Sequence, residues 1–590
     1  MTAFKLGGRL LLIVSLLTLL LSLGACVEIE TDPDPPYPVK ERDYSYPEPA
    51  DPDPAWDHPE DFPNVRITTP KDGEVFTAGA VTVTGLYSGP ELASFKINSR
   101  PVTVGANGAF STTINVETAN PVVPIMATAT TAEDELISSD LVTVFVGVAK
   151  TLDDTATNGL IADLENRGLA AVGEILSELL DDTDITNILG KRVAAEKLEV
   201  LTIDRAYLGN LEIGLAGQDE GLAIDLLANG VEIDLTLLGF ITLNIDINGL
   251  VMDLLAELEF DEENNISLNV LDGNFGIAEF VIDSALVPGL VNDLIELLAP
   301  LLYDLFLEDL LVDEINNLLA GLNLSFPLGD FELEVIPSGF VTTDRNVGIG
   351  IDTRVTLAEA DPDFDQEAFP TVFSDPPFFG ELTPDTERPY GIGLALNDDL
   401  LNQLFYAVSA SGLLNFDFSD PILNARLFQV IFWSFEGIDP DMPIVLEFGP
   451  SVAPVVVGDE DGMKLVLPAY TGRTIVDRGV RGPWEAMTFA VDVEAPLDVV
   501  VNADSSLSLL LGELDVQVRI VHNPVGQKNV ENIHRVFDEL LDVLLPELLT
   551  NLENLTLTIP EISGLTLTVP DMTAIGDNYD YLGVFVNLSY

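Results

Sequence analysis

Val231-Glu232-Ile233-Asp234-Leu235-Thr236-Leu237 is followed closely by Ile241-Thr242-Leu243-Asn244-Ile245-Asp246-Ile247. In both runs an apolar side chain alternates with a polar one, mostly an acid or an amide. A strand sends successive side chains to opposite faces, so each run has one apolar and one wet face. That is the pattern of an antiparallel sheet solvated on one side. Leu555-Thr556-Leu557-Thr558-Ile559 and Val584-Phe585-Val586-Asn587-Leu588 read as the last strands of the chain.

Working outward, the period changes. Leu160, Ile161, Leu164, Val172, Ile175, Leu176 and Leu179 recur at three- and four-residue spacing, which predicts one long amphipathic helix. A second helix is predicted over Leu290–Leu319, where Leu294, Leu297, Leu298, Leu301, Leu302, Leu305 and Phe306 form a wide apolar stripe kinked at Pro300. Further helices are predicted over Asp398–Leu414 and Val530–Leu549. Strands come in hairpin-like clusters and not one per helix, so the pattern predicts an α+β class. A sheet wrapped around a long helix would bury both apolar faces.

Asn158-Gly159-Leu160-Ile161 through Arg167-Gly168-Leu169 resembles the opening helix of the bactericidal/permeability-increasing protein and lipopolysaccharide-binding protein family. Gly391-Ile392-Gly393-Leu394-Ala395-Leu396-Asn397-Asp398-Asp399-Leu400-Leu401-Asn402-Gln403-Leu404 resembles the strand and helix that open the family's second domain. Asp375-Pro376-Pro377-Phe378-Phe379 precedes it, Ala410-Ser411-Gly412-Leu413-Leu414 continues it, and Leu582-Gly583-Val584 to Tyr590 resembles the final strand. The resemblance covers residues 150–590.

What it implies is a boomerang of two tubular lipid-binding domains, 150–328 and 329–590, each a long helix in a curved antiparallel sheet and joined through a central sheet. It also implies apolar tunnels for phospholipid acyl chains. The first would be walled by Leu160, Leu164, Val172 and Ile175 with Ile233, Leu235, Leu243 and Ile245, the second by Leu401, Leu404, Phe405 and Leu414. The chain departs from the family in lacking the disulfide of its animal members and the cationic tip used on lipopolysaccharide. Holding a lipid by its acyl chain survives that difference, at about 0.8 kcal/mol per buried CH₂ whatever the surface charge.

Lys5 and Arg9 precede an apolar run from Leu10 to Leu21, of signal-peptide length and short for a membrane span. Leu23-Gly24-Ala25-Cys26 then resembles the bacterial lipobox. That resemblance implies that residues 1–25 are removed and that Cys26 carries a diacylglycerol thioether and a further acyl chain on its amine. Val27, in place of the Asp that retains lipoproteins at the inner membrane, implies the outer membrane. Residues 26–64 hold ten prolines and twelve acids and are expected to form an extended, solvated linker. Residues 65–148 alternate in short runs such as Val81-Thr82-Val83-Thr84-Gly85 and Leu141-Val142-Thr143-Val144-Phe145-Val146, with turns at Asp72-Gly73 and Asn107-Gly108. They resemble bacterial Ig-like modules, which implies an all-β sandwich serving as a spacer.

The 590 residues are 47% apolar, with a net charge of −73. Such a charge excludes nucleic acid and anionic surfaces as electrostatically held partners. One cysteine allows no intramolecular disulfide, and His58, His522 and His534 are scattered, so neither thiolate nor imidazole builds a zinc site. There is no Gly-x-Ser-x-Gly elbow and no phosphate loop. Asp361-Pro362-Asp363-Phe364-Asp365-Gln366-Glu367 has calcium-like spacing, but Gln366 and Val372 stand where an EF-hand needs Gly and Glu, so a solvated acidic loop is the better reading. Asp459-Glu460-Asp461-Gly462 reads as a hairpin turn. The expectation is therefore a non-enzymatic outer-membrane lipoprotein, with no cofactor and no nucleic-acid partner. It would be held in the membrane by acylated Cys26, would bind phospholipid or another acylated lipid, and would transfer it between membranes as a further step. The alternatives are a structural or adhesive surface lipoprotein without a lipid ligand and an exported hydrolase acting on polysaccharide.

Overall fold

The computed structural model describes residues 63–589, apart from 133–136, 182, 196–200, 261–265, 284–295, 297, 304–324, 329–330, 363, 372–374, 378, 419–438, 460–461, 478–481, 502–505, 523–555, 559–565 and 577. Cys26, the linker and the segment Val530–Leu549 lie outside the described residues.

The first folded unit is the Ig-like sandwich. Asn64–Thr69, Gly79–Ser88 and Ala109–Val116 form one sheet; Val75–Phe76, Ile137–Val146, Val122–Thr131, Leu92–Ile97 and Arg100–Pro101 form the other. Alternate residues turn inward, so Val83, Ile97, Ile125 and Val144 are almost fully buried, and the Phe95 and Phe110 rings meet at 4.7 Å. The Asn107-Gly108 turn needs its glycine twice over. Its φ is +78°, and a Cβ there would stand 2.1 Å from the Tyr87 carbonyl oxygen. The sandwich is packed onto the body that follows. Phe145 is buried with Val452 and Val455, Leu141 with Ala469 and Ala490, and Lys71 pairs with Glu367 at 3.0 Å.

Three larger sheets make the body. A seven-stranded antiparallel sheet orders Ser325–Leu328, Phe331–Thr342, Asn346–Leu357, Ala156–Glu165, Ile392–Asn397, Tyr581–Ser589 and Thr566–Ile575, gathering strands from both halves of the chain. A second orders Thr183–Asp184, Leu201–Leu208, Val231–Leu237, Ile241–Phe260, Gly221–Ala228 and Leu211–Gln218, with Ile266–Asp283 also paired to Ile241–Phe260. A third is built on the long strands Gly462–Asp477 and Pro483–Val501, and Asp459↔Gly462 closes the hairpin into the first of them. The alternating runs behave as their sequence requires. Ile233 faces Ile245 and Leu235 faces Leu243, all at most 1% exposed, while on the wet face Asn244 Nδ2 donates to Asp234 Oδ1 at 2.6 Å.

The helices do not follow the expected plan. The long helix predicted from Leu160 is a strand, Ala156–Glu165, followed by α1, Asn166–Leu180. Leu160 to Leu164 are buried on both faces in mid-sheet. A fully buried strand has no polar alternation, so its apolar spacing imitated a helix.

α1 is not enclosed by a sheet. It lies along the edge strand Leu211–Gln218, whose outward N–H groups it satisfies: Ile213 N–H donates to Ser177 Oγ and Gly217 N–H to Asn166 Oδ1, each at 2.7 Å. Gly173 permits the approach, since a Cβ there would sit 2.3 Å from the Ile213 carbonyl oxygen.

α2, Thr186–Ala195, packs Leu189 and Val193 onto the body. α3, Asp398–Ala410, is buried along almost its whole length. Of the helix predicted over Leu290–Leu319, residues 296 and 298–303 are described and are helical, with Leu298, Leu301 and Leu302 buried. Among the described residues strand far outweighs helix. The expectation of an α+β chain with two tubes, each a long helix wrapped in curved sheet, is therefore overturned. Among the described residues the fold is predominantly β, and the helices α1 to α3 lie on or between sheets.

Candidate functional site

The residues expected to wall two tunnels lie in one apolar interior. Leu160 and Leu164 come from the central sheet, Val172 from α1, and Ile233, Leu235, Leu243 and Ile245 from the second sheet. Leu401 and Phe405 come from α3, and Leu414 follows its end. Ile175 and Leu404 are partly buried and pack against the same cluster. Leu394 and Leu396 continue it through the central sheet, and Leu446, Phe448 and Val491 extend it under the third.

This interior reaches the surface at its edges. Phe275, Ile277, Phe280 and Ile282 on the strand Ile266–Asp283 stand opposite the buried Met252, Leu250, Ile247 and Ile245. They pack on the core but stay half-exposed, and Tyr303 meets the Phe275 ring edge-on at 5.8 Å. Val516, Val518 and Ile520 do the same along Asp515–His522. Sequence reading missed these positions. The two-residue spacing of Phe275 with Ile277 and of Phe280 with Ile282, interrupted at Ala278-Glu279, was a partial signal for a strand but not for an edge.

Polar side chains fasten α3 into this apolar setting. Asn402 Oδ1 accepts the Val456 N–H at 2.6 Å, and Gln403 Oε1 accepts the Val355 N–H at 3.1 Å. Gln403 Nε2 donates to the Asp154 carbonyl at 2.8 Å, and the Tyr406 hydroxyl donates to the Gln366 carbonyl at 2.7 Å. A buried backbone group without a partner is costly, so these amides hold strands from separate sheets to one helix.

A titratable group sits beside the interior in the central sheet. Asp163 is 2% exposed, next to Leu164, and accepts a hydrogen bond from Asn346 Nδ2. Burial, aided by the Glu165 charge and opposed by the Asn346 hydrogen bond, pushes its carboxyl up to about 7. Burial likewise raises the Tyr390 hydroxyl, which donates to the Gly380 carbonyl at 2.6 Å.

Chemically, the arrangement offers apolar area that is continuous inside and accessible at its margins. A search of curated proteins returns no match. Among solved structures the chain is similar to lipopolysaccharide binding protein at 14% identity and a TM-score of 0.38, over 73% of this chain and 99% of that one. It is similar to P47 of Clostridium botulinum E1 at 13% identity and a TM-score of 0.26, over 74% and 100%. Residues 63–147, which fold as the sandwich, match the family model described as glucodextranase, domain B.

Proposed function

We propose that this chain is a membrane-tethered lipid-binding protein that takes the acyl chain of a phospholipid or other acylated lipid against its apolar interior. The observation that carries the reading is the half-exposed row Phe275, Ile277, Phe280 and Ile282, continuous with a core of leucine, isoleucine and valine. Water is a poor neighbour for such a row, and an acyl chain laid along it gains roughly 0.8 kcal/mol per buried CH₂. Ten methylenes give about 8 kcal/mol before the costs of association are subtracted. The tether rests on Leu23-Gly24-Ala25-Cys26, with acylation at Cys26, an acidic stalk over 26–64 and residence in the outer membrane as parts of the same reading. The role is binding, with no reaction assigned. Transfer between membranes would require only that the lipid leave by the edge at which it entered.

A phospholipid bearing a diazirine in its acyl chain tests the reading. Irradiation should attach the label to peptides containing Phe275–Ile282 and Leu235–Ile245. Labelling spread evenly over the acidic surface, or none, would contradict it.

A further inference from the structure

A cavity of about 890 Å³ opens where the sandwich meets the body. Pro121 and Val146 of the sandwich form one wall; Val456, Tyr579 and the N-terminal end of α3 form the others. Asp398 and Asp580 line it, 6% and 3% exposed. One oxygen of Asp398 and both oxygens of Asp580 are shielded from water and accept no hydrogen bond.

Neither acid is needed to cap α3. The Asn397 side chain accepts the Asp399 N–H at 2.7 Å, and the Asp398 N–H donates to the Asp580 carbonyl at 2.9 Å. Burial, followed by the charges of Asp399 and Asp580, pushes the Asp398 carboxyl well above its ordinary range. Three buried carboxyl oxygens without donors, one on Asp398 and two on Asp580, are expensive unless a positive group joins them.

The surroundings favour an organic cation over a bare metal ion. Among the described residues no three His, Cys, Asp or Glu side chains are placed to hold a metal. The cavity has room for a small molecule and offers apolar contacts from Pro121 and Val457. A primary ammonium brings a positive charge and three N–H donors to the two carboxyls that line the cavity. Tyr579, 39% exposed at the cavity, adds an aromatic face for a cation.

We propose that this cleft binds a primary ammonium group through Asp398 and Asp580, supplied by a free amine or by the headgroup of an aminophospholipid. The proposal does not rest on lipid uptake by the apolar interior and stands or falls without that reading.

The test uses the full chain carrying Cys26→Ser, at about 0.15 M salt to screen general attraction to an acidic protein. Butylammonium and dihexanoylphosphatidylethanolamine are titrated by calorimetry, against tetramethylammonium and dihexanoylphosphatidylcholine, which carry no N–H. Saturable binding of either primary amine, weakened about tenfold or more by Asp398→Asn and by Asp580→Asn but not by the exposed Asp219→Asn, is the expected result. Binding of butylammonium identifies a free amine as sufficient; binding of the phosphatidylethanolamine alone identifies the headgroup. Circular dichroism checks that each variant is folded, and either folded variant suffices. Equal binding of the quaternary compounds, no saturable binding, or unchanged affinity in a folded variant would overturn the proposal.

Discussion

The hydroxyl of Ser177 accepts the backbone N–H of Ile213 at 2.7 Å, so a helix residue stands where a neighbouring strand would otherwise pair. The same hydroxyl donates to the Gly173 carbonyl at 2.7 Å, one turn back along α1. An open strand edge is thereby closed by a helix, one of the ways proteins keep sheets from pairing with other chains. Ser177→Ala leaves the Ile213 N–H unpaired and should cost about 1–3 kcal/mol in denaturant unfolding. Gly173→Ala should cost more, because its Cβ would sit 2.3 Å from the Ile213 carbonyl oxygen and α1 would have to lift. Equal stability of the Ser177 variant and the parent would show that the edge is not held this way.

Asp163 sets a pH dependence whose sign is fixed by its environment. Burial raises its carboxyl from 3.8 to about 7, so the folded protein favours the protonated acid. Its contribution is therefore most favourable below the unfolded value near 3.8 and declines as pH rises toward about 7. Asp163→Asn keeps an acceptor for Asn346 and removes the charge. The variant should gain stability over the parent progressively between those pH values and keep the gain above them. A stability difference that stays flat with pH would contradict the assignment.

Gln403 joins two segments far apart in the chain. It accepts from Val355 N–H at 3.1 Å and donates to the Asp154 carbonyl at 2.8 Å. Gln403→Leu preserves much of the volume and orphans both backbone groups, at about 1–3 kcal/mol each. Thermal melts should show a lower midpoint than in the exposed control Glu387→Gln.

The edge row can be altered with little injury to the core. Ile277 is half-exposed opposite buried Leu250. Ile277→Asp places a charge where an acyl chain would lie and should reduce lipid uptake severalfold while the protein stays folded. Leu250→Ala, by contrast, opens a cavity in the core and should cost about 2–5 kcal/mol in stability. If Ile277→Asp takes up lipid as well as the parent, the edge is not the entrance.

Parts of this fold are written plainly in the chain. The paired runs around Ile233 and Ile245 alternate because one face is wet, and Ile392–Asn397 followed by α3 was legible as strand then helix. The turns at Asp72-Gly73 and Asn107-Gly108 marked the sandwich. The strand Ala156–Glu165 was not legible, because burial on both faces erased the alternation that distinguishes a strand from a helix. Nor could spacing show that α1 closes an edge and is not enclosed, since that depends on Ser177 meeting Ile213, a contact 36 residues apart. The apolar residues of the interior were legible as a set; their merging into one core and their half-open margin depend on packing between sheets. Asp398 and Asp580 were lost among 98 acids until the fold buried them together.

Lipid content of the purified protein is the most direct test of the central claim. The chain carrying Cys26→Ser, so that any lipid present is ligand and not anchor, is examined by native mass spectrometry followed by solvent extraction. One or two molecules of an acylated lipid per chain are expected, lost on extraction and restored from added vesicles. An apo mass with no uptake from vesicles would contradict it, and would leave a structural or adhesive surface protein as the better reading.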